Sequence, residues 1–183
     1  MLEVRKMRYW VLDIREEAIM DLTTVLRLIH IFSAIFWVGT TLFMLFFLEP
    51  VVSRAGQAGS QVMQTLISAT RFPQVIALSG VVTVLAGLTL YGRMYGFDVA
   101  TLFGSKLPLT LGALAGFLAV VTGFTFQGPA AAALGALGAE IAAQNGPPTP
   151  EQMARIQAHQ ARIALGTRIA AVLMVLAVIG MVA

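Results

Sequence analysis

His30 stands inside a long apolar run, and its imidazole is the first group in this chain that could do chemistry. Residues 28–48 carry no charge, and His30 follows Arg27 by about one helical turn. An ionisable ring in a membrane helix turns toward a protein interior, because exposure to hydrocarbon costs several kcal/mol. Such a ring suits axial ligation of iron or proton shuttling. On a helical wheel His30, Ser33, Ala34, Trp37, Thr41 and Met44 share one stripe. Ser33 and Thr41 there are expected to bond their own backbone carbonyls, with Trp37 as packing.

The elements that must position this stripe follow from composition. The chain has 183 residues, 58% hydrophobic and 11% charged. A soluble domain carries roughly 25% charged residues, so a soluble surface is excluded. Further apolar runs cover 72–92, 107–139 and 163–183, the last interrupted only by Arg168. The expected fold is all-α: a polytopic four-transmembrane-helix bundle, with spans at about 22–54, 72–92, 107–128 and 163–183. Residues 20–183 form this membrane domain. Residues 1–19, mixed in charge, read as an N-terminal interfacial extension.

Several spans outlast a hydrocarbon layer of about 30 Å. The first continues to Arg54, residues 55–60 read as a turn, and residues 61–70 have helical spacing. The third continues past Pro129 to about Gln144. Thr149, Pro150 and Glu151 then mark the start of a helix that runs to the end. Two helical hairpins are therefore expected to project from one membrane face. Gln61 and Gln152 hold comparable places before their spans, which suggests a duplication. Ser79, Thr83 and Gly87, and Gly112 with Gly116, are small-residue rows suited to close helix packing.

Four spans make the first and third helices parallel, so Arg27 and Lys106 lie near the same membrane face as His30. Two cations beside a histidine can seat an anionic ligand such as the propionates of a porphyrin. Independent snorkelling of both cations to headgroups is the alternative. The candidate site is His30, Arg27, Lys106 and Trp37, with His30 as metal ligand and His30 and Lys106 as catalytic residues. His159 is expected most of a membrane thickness away, in a solvated row with Arg155 and Arg162. Met94 and Met181 are candidates for a sixth iron ligand.

With no cysteine, thiolate metal sites and disulfides are excluded. The net charge of +3 points to anionic lipid headgroups and not to nucleic acid. No hydrolase triad, P-loop or dinucleotide fingerprint is present. The expected location is the plasma membrane, a bacterial inner membrane, with a lean to a cytoplasmic amino terminus.

The pattern His30, Trp37, Gly39 and then Phe47-Leu48-Glu49-Pro50 resembles the first helix of HemJ-type protoporphyrinogen oxidases. It is equally similar to copper-resistance protein D domains and to related uncharacterised four-helix membrane proteins, which are the nearest match overall. Lys106-Leu107 looks like the lysine those families place at the third helix, and the resemblance covers the chain from about Met20 onward. The HemJ likeness implies haem b and oxidation of a porphyrinogen, with His30 and Lys106 as functional positions. The copper-resistance likeness implies copper handling at His30. A third expectation is a non-catalytic subunit, whose projecting hairpins dock a second copy or another membrane protein.

Overall fold

The computed structural model describes residues 2–144 and 146–183, with side chains from residue 22 onward. The expected interfacial role of residues 1–19 therefore lies outside the described side chains. Eight α-helices follow in chain order: α1 (Leu2–Phe43), α2 (Glu49–Arg54), α3 (Gln57–Ser68), α4 (Phe72–Tyr95), α5 (Val99–Phe103), α6 (Leu107–Thr122), α7 (Gly128–Ala143) and α8 (Pro150–Val182). Among the described residues, four continuous helical stretches are long and apolar enough to cross a membrane: Leu22–Arg54, Phe72–Tyr95, Leu107–Ala143 and Pro150–Val182. The all-α four-span bundle is thus the observed fold.

Its outward surface is apolar. Phe32, Ile35, Leu78 and Val172 are each more than 60% exposed. Such a belt is unfavourable in water and natural in lipid, where helices satisfy their own backbone groups.

Proline marks the helix starts. Pro50, Pro73, Pro108, Pro129 and Pro150 all lie in the first turn of their helices. There the missing N–H has no intrahelical partner to lose. Two of these prolines sit inside longer helical paths and disturb them. Met44–Leu48 and Gly123–Gln127 are π-helical turns, closed by Glu49 N–H donating to the Met44 carbonyl and Gly128 N–H to the Gly123 carbonyl. Pro129 cannot donate to the Thr125 carbonyl four residues back. Arg162 Nη2 takes that role from α8, donating to Thr125 O at 2.9 Å.

These turns reveal a repeat. Arg27 precedes Pro50 by the interval at which Lys106 precedes Pro129, 23 residues in each case (50 − 27 and 129 − 106). Each half is a long helix with a π turn, an extension and a returning helix. Gln61 and Gln152 are not equivalents, however. Gln152 is buried in the hairpin tip, accepting from Thr149 N–H and donating to Glu140 and Gln144, whereas the side chain of Gln61 is exposed.

The halves also differ in their returns. α8 is unbroken, starting from a capping box between Thr149 and Gln152. The first return is broken at 69–71 before Pro73, with Thr70 Oγ1 accepting from Phe72 N–H at 3.1 Å. The turn before α3 is shorter than expected. Only Ala55 and Gly56 separate the helices, because Gly56 adopts φ +57°.

Small residues set the pairing. A Cβ on Gly87 would lie 2.8 Å from His30 Cε1, and one on Gly80 would lie 2.9 Å from Trp37 Cε2. α1 therefore packs its chemical stripe directly on α4. In the second half, a Cβ on Gly180 would lie 2.7 Å from Gly112 Cα, a backbone-to-backbone approach of α8 on α6. Trp37, Ala119, Ala170 and Met174 form the core where the two hairpins meet.

Candidate functional site

The expected stripe of the first span faces protein. Trp37 and Thr41 are buried and His30, Ser33, Ala34 and Met44 half-buried, while Phe32, Phe36 and Phe43 are exposed. Ser33 Oγ donates to Ile29 O at 2.6 Å and Thr41 Oγ1 to Trp37 O at 2.9 Å, the local bonds expected of hydroxyls in a helix. Ser33 also meets α4, with its oxygen 2.9 Å from Thr83 Oγ1.

His30 is held across the helix pair. Its Nδ1 lies 2.8 Å from the carbonyl oxygen of Thr83. A carbonyl only accepts, so Nδ1 carries the proton and donates. In the neutral ring Nε2 then bears the lone pair. Nε2 bonds no described residue. Gly87 supplies the space for the ring, and without a side chain there α4 offers His30 both a seat and an acceptor.

The imidazole lines a cleft of about 270 Å³ between the hairpins. Val38, Val84, Leu88, Leu109 and Ala113 make its walls apolar. Leu88, Met94, Val178 and Met181 on its border are exposed, so it opens sideways toward the lipid-facing surface. The volume lies just below the usual range of ligand pockets, roughly 300 to 1,000 Å³.

Arg27 and Lys106 reach this cleft through adjacent residues of α4. Arg27 Nη2 donates to Met94 Sδ at 3.5 Å. Lys106 Nζ stands 4.7 Å from the centre of the Tyr95 ring, a cation–π distance. Met94 and Tyr95 both line the cleft. The two repeat-related cations therefore stand at its border, beside the wall and not on the imidazole.

No protein-family model, curated protein or solved structure matches this chain. What the site can hold is therefore read from its donors.

Among the described residues, no three His, Cys, Asp or Glu side chains come together. One imidazole nitrogen is available, with the thioethers of Met94 and Met181 on the same cleft. His159 stays apart, as expected. It precedes Met181 by about 22 residues along α8, roughly 33 Å at 1.5 Å per residue. Trp37, with Met174, forms the floor of this cleft and the roof of a second one.

Sequence reasoning missed Tyr91, which lines the cleft, pairs with Thr110 at 2.8 Å and stacks on Phe97 at 5.8 Å between centroids. The i, i+4 pair Tyr91 and Tyr95 at the end of a span was the available signal. It also left Arg168 without a partner. Arg168 Nη2 lies 2.5 Å from Glu49 Oε1, joining the end of the first span to α8.

Proposed function

We propose that this integral membrane protein binds haem or a related porphyrin at the His30 cleft and uses it in redox chemistry. The observation that carries this reading is the Nδ1–Thr83 hydrogen bond. In the neutral ring it leaves the Nε2 lone pair without a protein partner, and a bond of this kind orients a histidine ligand. A bound haem would supply one-electron chemistry at its iron.

The chain's own residues do the remainder. His30 would hold the iron through Nε2, with its ring fixed by Gly87 and Thr83, and the aliphatic walls would exclude water. Arg27 and Lys106 meet carboxylates at the border. Opening toward lipid admits a flat, largely apolar ligand from the bilayer. A bacterial inner membrane is the setting in which we place it.

Copper handling is the second reading. Met94 and Met181 beside His30 offer soft donors suited to Cu(I). Arg27 favours the first reading, because its guanidinium already donates to Met94 Sδ and sets a positive charge where a cation would bind.

The test is optical. Protein purified after expression with added haem should show a Soret band that His30→Ala removes. A colourless wild-type protein that retains copper in a His30-dependent ratio would favour copper. Neither ligand, with another protein co-purifying, would favour the subunit role.

A further inference from the structure

Below Trp37 and Met174 lies the second cleft, of about 180 Å³, between the two π turns. Met44 of the first π turn and Gly123, Phe124 and Gln127 of the second line it. No Asp, Glu, Lys, Arg or His is among its lining residues. An ionised ligand would find no counter-charge there.

Its polar groups are nonetheless not all used. Every fully enclosed side-chain nitrogen or oxygen among the described residues has a hydrogen-bond partner. The indole N–H of Trp37 has none, although the residue is only 7% exposed. That N–H therefore opens onto cleft space. Trp37 Nε1 would be 3.2 Å from a Cβ on Gly80, and Gly80 lines the lower cleft but not the upper. Thr40, also on the lining, has a hydroxyl that bonds no described residue. By contrast, Thr41 and Thr167 spend their protons on the carbonyls of Trp37 and Ile163.

The cleft thus presents the Trp37 and Thr40 donors in an uncharged, mostly apolar space, beside the Gln127 amide, whose Nε2 donates to Thr167 Oγ1 at 3.2 Å. Phe124, 56% exposed, and Gly128 lie on its border, so it too opens toward the lipid-facing surface. A matching ligand is neutral, soluble in lipid, one or two rings in size, and carries hydrogen-bond acceptors for the Trp37 and Thr40 donors.

We propose that the lower cleft is a binding site for the head group of a quinone, with Trp37 Nε1–H and Thr40 Oγ–H donating to its carbonyl oxygens. The two clefts share Trp37 and Met174 and differ in the rest of their lining, so this site does not require a ligand on His30. A carbonyl acceptor would pair each donor while the rings cover the apolar walls.

The probe is 2-methyl-1,4-naphthoquinone, which meets no thiol in this cysteine-free chain. Equilibrium dialysis of the full chain in detergent, against empty micelles, should give saturable one-to-one binding. 2-Methylnaphthalene, of similar shape without carbonyls, should not displace it. Thr40→Val and Trp37→Phe should each weaken binding about fivefold, the effect of one neutral hydrogen bond. Ala131→Leu, which fills the cleft, should weaken it more than tenfold. If Trp37→Phe does not fold, Thr40→Val carries the donor test alone. Binding no greater than in empty micelles would overturn the site. So would equal displacement by 2-methylnaphthalene, or indifference to both Thr40→Val and Ala131→Leu.

Discussion

His30 and Thr83 are joined by a side-chain to main-chain hydrogen bond of 2.8 Å between the first two spans. Because the acceptor is a carbonyl, the contact fixes one tautomer of the neutral ring and leaves its Nε2 lone pair without a protein partner. No substitution of the Thr83 side chain removes this acceptor. Thr83→Ala should therefore leave any His30-dependent ligand bound, with affinity within about threefold of wild type. A loss comparable to that of His30→Ala would mean that the hydroxyl, and not the carbonyl, positions the ring.

Gly87 should be far less tolerant. Gly87→Ala places a methyl 2.8 Å from His30 Cε1 and 3.0 Å from Nδ1. The ring must shift, and overpacking of this kind costs about 1–3 kcal/mol. A thermal scan in detergent should show a lower midpoint, and ligand affinity should fall with it. An unchanged midpoint with unchanged affinity would show that the ring has room elsewhere.

Arg168 is the one charge in the last apolar run, and Glu49 accounts for it. With side-chain exposures of 62% and 31%, the pair is open to screening. Glu49→Gln should therefore cost about 1 kcal/mol or less in detergent, and added salt should shrink the difference. A double-mutant cycle with Arg168→Gln measures the coupling directly. No coupling at low salt would remove the contact from the account of how α8 meets the first span.

The tip of the second hairpin should be more sensitive than its exposed position suggests. Gln152 is buried and shares hydrogen bonds with Glu140, Gln144 and Thr149. Gln152→Ala removes half of the capping box and strands its partners, for an expected cost of about 1–3 kcal/mol. Thermal midpoints of Gln152→Ala and the exposed Gln61→Ala should differ clearly, with Gln61→Ala close to wild type.

Asp98 gives the loop before the third span a pH dependence. The Thr101 hydroxyl and backbone N–H donate to its carboxylate and hold it below the usual carboxylate range. A lowered folded value means that the cap is fully present above about pH 4 and is lost as pH falls through the folded value. Amide exchange at Thr101, corrected for its intrinsic rate, should lose protection on acidification. Asp98→Ala should lack that protection at neutral pH.

Much of the fold was legible because hydrocarbon is a strict solvent. Runs without charge such as 72–92 have no other home, and Thr149-Pro150 marks a helix start by local chemistry alone. The seat of His30 was only half legible. Gly87 and Thr83 stood out as small residues, but a carbonyl acceptor has no sequence signature. The place of Arg27 and Lys106 at one end followed from topology. Their approach through Met94 and Tyr95 did not, since it depends on how α4 is rotated. The repeat was legible in the equal intervals from Arg27 to Pro50 and from Lys106 to Pro129, and Gln61 with Gln152 was the wrong place to look for it. The lower cleft was hidden, because π turns shift a helix face by an amount that composition does not record.

The most direct measurement is the visible absorption spectrum of the purified protein after expression with added haem, alongside His30→Ala at matched folding. A Soret band in the wild type that is absent from His30→Ala, and weakened in Arg27→Gln and Lys106→Gln, is the expected result. A colourless wild type, or a band that survives His30→Ala, would contradict haem ligation by His30.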